Sequence, residues 1–217
     1  MSGALQAVFQ NHRSFIPPLP ADIGAAYGGG FFAGQINQSG TVYNLVIGPV
    51  SSAQSSLAWK NIGTGIIPVS LIDGPQNTAD LVADGSSTVY PAVHFCNDLV
   101  IGGFSDWYMP AKNELEVCYY FLKPTTTAND TSSGANANAV SPEPISTNYS
   151  SGSPAQTSAA AFQSGGAQAF TANNYWSSTA NTGNEATAWR QHFSYGLLYR
   201  ESKTGVKNVR AVRRVSA

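Results

Sequence analysis

The feature that most limits this chain is a fifty-residue stretch, 125–174, that carries only two charges, Asp130 and Glu143. Ser, Thr, Asn, Ala, Gly and Pro dominate the rest of it. Composition alone describes a linker, which would divide the chain into two units. We read it instead as a long ordered excursion packed on its own domain or on a neighbouring subunit, with a short helix around 157–162. The whole chain shares the bias. Charged residues make up 11% and apolar residues 42% of the sequence, against roughly 25% charged in an ordinary soluble protein. An uncharged, hydroxyl- and amide-rich surface with 24 aromatic residues suits a stable extracellular β-rich assembly better than a metabolic enzyme.

The remaining segments are regular. Phe15-Ile16-Pro17-Pro18-Leu19-Pro20 cannot enter a helix or a central strand, so the first twenty residues are expected as an extended arm. Runs over 31–37 and 41–48, joined by Gln38-Ser39-Gly40, predict a β-hairpin. A strand-like stretch follows over 57–72. Asp73 and Pro75 open a helix running to about Ala83, and Val89, Val93, Cys96 (or Phe95) and Leu99 are spaced for a second over 88–99. Leu115, Cys118-Tyr119 and Leu122 form the stripe of a third over 112–122, stopped by Pro124. Strands are expected at 175–179, 186–193, 197–201 and 206–215.

Catalytic constellations are missing. His12, His94 and His192 lie far apart without carboxylates at ligand spacing, and no serine sits in a nucleophile elbow. Gly28-Gly29-Gly30 and Gly63-Thr64-Gly65 lack the Lys-Ser/Thr of a phosphate loop and are turns. Cys96 and Cys118 are either two buried apolar residues or a disulfide between neighbouring helices. No apolar run reaches the roughly 18 residues of a membrane span, and Met1–Gln10 does not look like a secretory signal. Seven of the eleven basic residues follow position 189, opposed there only by Glu201. They are not dense enough for a dedicated nucleic-acid binder.

One segment is specific. Gly102-Gly103-Phe104-Ser105-Asp106-Trp107-Tyr108-Met109-Pro110-Ala111-Lys112-Asn113-Glu114-Leu115 resembles the signature of the Lcl C-terminal (DUF1566) family of C-type-lectin-like domains. The likeness extends back through Cys96-Asn97-Asp98-Leu99 to Asp73-Gly74. It runs forward through Tyr175-Trp176-Ser177-Ser178-Thr179 and Ala188-Trp189 to Val209-Arg210-Ala211-Val212-Arg213. The resemblance implies an α+β, C-type-lectin-like domain over 55–217, a small mainly antiparallel sheet with two or three helices. Residues 1–50, arm and hairpin, would serve attachment or oligomerisation. Most signature residues then maintain the fold. Asp106 would accept backbone hydrogen bonds in its turn, while Trp107, Trp176 and Trp189 would fill the core. Tyr108 replaces the usual arginine. Ala211 replaces a cysteine that could otherwise pair with the one at Cys96, and the calcium- and sugar-holding motifs of animal lectins are absent.

Such domains are frequent in virion proteins. The resemblance therefore implies a non-enzymatic bacteriophage tail-fibre or tail-tip protein that binds the bacterial surface, made in the host cytoplasm and carried in the virion. Its expected partners are other virion proteins, further copies of itself (a trimer is favoured) and a bacterial receptor such as an anionic polysaccharide. No cofactor, metal or nucleic acid is expected. The alternative is a structural capsid-decoration or baseplate component without a receptor. The family's variable positions cluster between Tyr175 and Lys203, which nominates Arg190, His192, Ser194, Tyr195, Tyr199 and Arg200 as ligand contacts. Alternation assigns Trp189, Gln191 and Phe193 to the core and Arg190, His192 and Ser194 to the free face, where they meet either a receptor or a sister subunit.

Overall fold

The computed structural model describes residues 18–61, 65–140 and 146–217. Most of the expected arm, His12, Gly63-Thr64 and Glu143 lie outside the described residues. Two sheets, mostly antiparallel, and four helices make a mixed α+β fold.

The first sheet has the order β1 (Ala26–Tyr27), β2 (Gly30–Gln38), β3 (Thr41–Ile47) and β9 (Val212–Ser216). Its β2–β3 hairpin turns on Ser39 and Gly40, both at positive φ (51° and 95°), as a two-residue turn matched to strand twist requires. At Gly34 the strand bulges. Its φ is +117°, and a Cβ there would come within 2.7–2.8 Å of Phe121 and Val117, so glycine lets helix and strand meet. β3 pairs along its length with β9. The hairpin expected within 1–50 thus shares its sheet with the C-terminal strand.

After the short helix α1 (Val50–Ala53), β4 (Gln54–Ala58) enters the second sheet. Its order is β4, β8 (Val206–Arg210), β5 (Asn174–Ala180), β6 (Thr187–His192) and β7 (Leu198–Ser202). The strand expected over 57–72 ends at Ala58. Beyond it Trp59 turns inward, its Nε1 donating to the Ser177 carbonyl at 2.9 Å. Gly65 and Pro68 then spoil regular pairing, and Ser70 bonds the Asn77 side chain instead.

Helix α2 (Gly74–Asp84) starts where expected, with Asp73 accepting from Gln76 N–H at 3.2 Å and Pro75 in the first turn. Helix α3 is shorter than expected, Pro91–Asn97, because the residue before a proline is pushed out of helical geometry. Tyr90 accordingly has ψ 68°. Helix α4 (Lys112–Leu122) lies between the sheets, against β2 on one side and β5 and β6 on the other, and nearly all its residues are buried. Cys96 and Cys118 are free thiols in separate parts of the core, so the disulfide alternative falls.

The polar excursion is ordered on α4. Lys123, 2% exposed, points its ammonium at the Thr127 carbonyl (2.6 Å), Asn129 Oδ1 (2.7 Å) and the Pro154 carbonyl (3.1 Å). Glu116, wholly buried, accepts from Tyr149 Oη at 2.5 Å and Asn136 Nδ2 at 2.7 Å. Residues 138–140 then bond along the edge of β2 that the short β1 leaves uncovered. The helix expected at 157–162 is a single 3-10 turn, Ala160–Phe162.

Candidate functional site

The nominated residues surround the β6–β7 hairpin, at the edge of the second sheet. Its tip is tight because Gly196, φ +79°, sits over the Tyr119 and Tyr149 rings, where a Cβ would come within 2.5–2.7 Å. The excursion buttresses the tip. Asp130 N–H donates to the Tyr195 carbonyl at 2.8 Å, Thr125 Oγ1 to the Ser194 carbonyl at 2.7 Å, and Leu198 N–H to Ser133 Oγ at 3.0 Å.

Register separates the six residues. Arg190 stands opposite Tyr199, and Trp189 opposite Arg200, and directly opposed residues share a face. Arg190, His192 and Tyr199 are therefore on one side and Arg200 on the other. Arg200 does not join the proposed surface; its guanidinium lies 4.9 Å from the Trp189 ring. Trp189 is itself a correction. Gln191 and Phe193 are buried as expected, but Trp189 is half-buried, held between Arg200 and Lys112, whose ammonium is 4.8 Å away. Two cations over its ring mark a position at the rim of the core, not inside it.

On the other face, His192 and Tyr195 stack with centroids 4.2 Å apart. His192 Nδ1 accepts from Ser194 N–H at 3.1 Å, which assigns its proton to Nε2. Burial, then the Arg190 charge, lower its pKa, so the ring is neutral at pH 7. Arg190 lies over Tyr199 at 5.5 Å and pairs through Nε with Glu201 at 3.1 Å, while Lys207 holds the other Glu201 oxygen at 2.9 Å. Arg190 Nη1 is buried without a partner among the described residues. Tyr199 is 54% exposed. Ser194 Oγ makes only a long bond, 3.3 Å, to Thr127.

The basic residues of the last two strands behave differently. Arg213 grips Asp106 with Nε and Nη2, at 2.6 and 2.8 Å, and gives Nη1 to the Gly28 carbonyl. Asp106 was expected to accept from backbone groups; a side chain 107 residues away takes both oxygens. Arg214 donates to Glu114 Oε1 at 2.7 Å and to the Ile72 carbonyl at 2.7 Å, and also reaches Gln38 and Asp73. Glu114 further accepts from Tyr108 Oη at 2.8 Å and Ala111 N–H at 2.7 Å. Tyr108, where the resemblance expects arginine, thus donates to the same carboxylate, and Arg214 supplies the cation from another strand. Burial lifts the Glu114 carboxyl, with Arg214 pulling it down. Burial works against the Arg214 charge too, but Glu114 and Tyr108 outweigh it and raise its pKa. The three donors, Arg214, Tyr108 and Ala111, all favour the carboxylate form against the cost of burial. Arg210 meets no carboxylate among the described residues. It spends its donors on the Gly48 and Gln168 carbonyls at 2.8 and 2.9 Å, with the Phe170 ring 4.6 Å away.

Sequence reasoning, in its packing alternative, expects Arg210, Arg213 and Arg214 in structural salt bridges. Arg213 and Arg214 make them and Arg210 does not. What it missed were the partners Asp106 and Glu114 and the Glu116–Lys123 scaffold of the excursion. The available signal was placement: Glu116 and Lys123 sit within or beside an apolar stripe, where a solvated charge would not belong. Among the described residues no cluster of His, Cys, Asp or Glu is arranged to hold a metal ion, and no helix is long and apolar enough to cross a membrane.

No curated protein sequence matches the chain. The family model for the Lcl C-terminal domain matches residues 48–213. That span holds α2 to α4, the whole second sheet and the Asp106–Arg213 ion pair, and it stops one residue short of Arg214. The chain belongs to the Lcl C-terminal domain family.

Proposed function

We propose that this is a non-enzymatic bacteriophage virion protein, on a tail fibre or tail tip, whose C-type-lectin-like domain binds the bacterial surface during adsorption. Two mainly antiparallel sheets with helices packed on them support that finer fold assignment, and family membership supports the virion setting. The observation that carries the binding role is the Arg190–Tyr199 pair. Elsewhere the interior arginines are saturated with partners, whereas here a guanidinium keeps a buried, unpartnered Nη1 beside the half-exposed Tyr199 ring, a donor that a ligand meets once these side chains shift. Arginine and tyrosine are the usual anchors of recognition surfaces. With the His192–Tyr195 stack and Ser194, they form a patch of rings and donors suited to an anionic polysaccharide. The reading includes no catalytic residue, metal or cofactor, and places the protein in the virion as a homo-oligomer, trimer favoured.

One observation favours the structural alternative: β7 is an edge strand, and an edge with exposed rings also suits packing against a sister subunit. Replacing Tyr195→Ala together with Tyr199→Ala separates the two. Receptor binding requires particles that assemble normally and adsorb poorly to host cells. Subunit packing requires defective assembly or a lower melting temperature of the oligomer. Wild-type behaviour in both assays removes this surface from either role.

A further inference from the structure

At the end of the β6–β7 hairpin away from its turn, two lysines are buried side by side. Lys60 follows β4 and Lys203 follows β7, each 5% exposed. Lys60 N–H donates to the Lys203 carbonyl at 3.0 Å. Lys203 Nζ lies 4.4 Å from the centroid of the Trp59 ring, and Lys60 Nζ 4.7 Å from that of Tyr90. The two rings meet edge to face at 5.7 Å. Beside them opens a cavity of about 120 Å³ lined by Lys60, Asn61, Glu185, Ser202, Lys203 and Thr204.

The charges there do not balance. Lys60 Nζ donates to Tyr90 Oη at 2.9 Å, and that hydroxyl passes its own proton toward Asp84. Among the described residues Lys203 Nζ meets the Trp59 ring and no hydrogen-bond acceptor, and no carboxylate pairs with either lysine. Glu185, exposed at the rim, is the carboxylate that lines the cavity. Burying an ammonium is costly, and a ring face returns only a small part of that cost. Burial first, then the Lys60 charge, push Lys203 down to about 8.

We propose that this cavity binds a compact oxyanion, a carboxylate, sulfate or phosphate group, between the Lys60 and Lys203 ammonium groups. The anion offsets the repulsion of two adjacent cations and supplies the acceptor that Lys203 lacks. Ser202 and Thr204, whose hydroxyls bond each other at 3.0 Å, can turn to donate to its remaining oxygens. Glu185 opposes entry by charge. The site is separate from the β6–β7 tip and stands whether or not that tip binds a receptor. An acidic substituent of a glycan and a free inorganic ion share this chemistry.

Around neutral pH the groups facing the site are Lys60, Lys203 and Glu185, with Tyr90 and Asp84 behind Lys60. Lys203 loses its charge near pH 8, so binding weakens as the pH rises through that value. The test is an NMR titration of the Lys203 ε-methylene in the full chain, with inorganic sulfate, inorganic phosphate and glucuronate each compared with chloride at matched ionic strength. The expected result is an upward move of the Lys203 midpoint with at least one of the three. A response to the inorganic ions alone names a free ion, and a response to glucuronate names an acidic sugar. Lys203→Met should weaken binding about tenfold or more. Glu185→Gln, at an exposed position that does not endanger folding, should tighten it several-fold. Midpoints identical to chloride in all three, with no tightening in Glu185→Gln, would overturn the proposal.

Discussion

Two sets of arginines, a few strands apart, have opposite fates. Arg213 and Arg214 enter the fold and saturate: each reaches a carboxylate and a backbone carbonyl, and both are buried or nearly so. Arg190 and Arg200 stay at the rim, each beside an aromatic ring, the first sharing Glu201 with Lys207 and the second without an ion pair among the described residues. The basic clustering after position 189 looks uniform along the chain, but it falls into two environments. The difference teaches that a run of basic residues in a family domain says little about binding until each one's partners are counted. What distinguishes the rim is donors and ring faces left over, not charge itself.

The strongest attempt to break this comparison is Arg214→Ala, which leaves Glu114 buried with its main cation gone. Removing one partner of a buried pair costs about 3–5 kcal/mol, and chemical denaturation should show a loss of that size. A loss no larger than that of Arg190→Ala would mean that the interior arginines are not structural. Next in size is the pH dependence of Glu116, the buried acid without a pairing arginine. Burial pushes it up to about 7 against bonds from Tyr149 and Asn136 and the charge of Lys112, while in the unfolded chain it titrates near 4.5. Between those values the folded chain holds a proton that the unfolded chain has released. Glu116 therefore contributes most below pH 4.5, and that contribution is lost as the pH rises toward 7. At about 1.4 kcal/mol per unit the effect reaches about 3 kcal/mol. Glu116→Gln should flatten the stability profile over that window; an unchanged slope would assign the dependence elsewhere. The smallest effect is expected from Arg190→Ala, about 1 kcal/mol or less, as for a partly screened surface pair. A larger loss would move Arg190 into the structural set and weaken its claim as a binding residue.

Elements with local punctuation were legible in the sequence. Asp73 and Pro75 set the start of α2, Pro124 the end of α4, and Ser39-Gly40 the hairpin turn, because each acts through backbone geometry within a few residues. The shortening of α3 was also local: Pro91 restricts Tyr90, a constraint that apolar spacing alone overlooks. The excursion was legible as ordered but not as to cause. Lys123 and Glu116 hold it through bonds to Thr127, Asn129, Asn136, Tyr149 and Pro154, and nothing in a polar, uncharged composition marks which amides will meet which charge. At the candidate site, alternation placed Gln191 and Phe193 inward correctly. Arg200 was nominated beside Arg190 only because both flank the Gly196 turn, whereas pairing across β6 and β7 puts them on opposite faces. The same alternation assigned Trp189 to the core with Gln191 and Phe193, and two cations that converge on it from α4 and β7 hold it at the rim.

Ala211 is the single residue between β8 and β9, and its N–H and carbonyl bond Ala53 and Gly48. One stretch of backbone therefore leaves the five-stranded sheet and joins the four-stranded one with almost no slack. A strand shifted by one residue turns all its side chains over, and here the shift cannot stop at a loop. Misalignment of β8 against β4 would carry β9 out of step with β3, exposing Val212 and Val215 and pulling Arg213 and Arg214 from Asp106 and Glu114. The two sheets are thus proofread together. The short link disfavours a state with one sheet in register and the other slipped, at a cost in speed, since strands about 165 positions apart must meet before the β3–β9 register is secure.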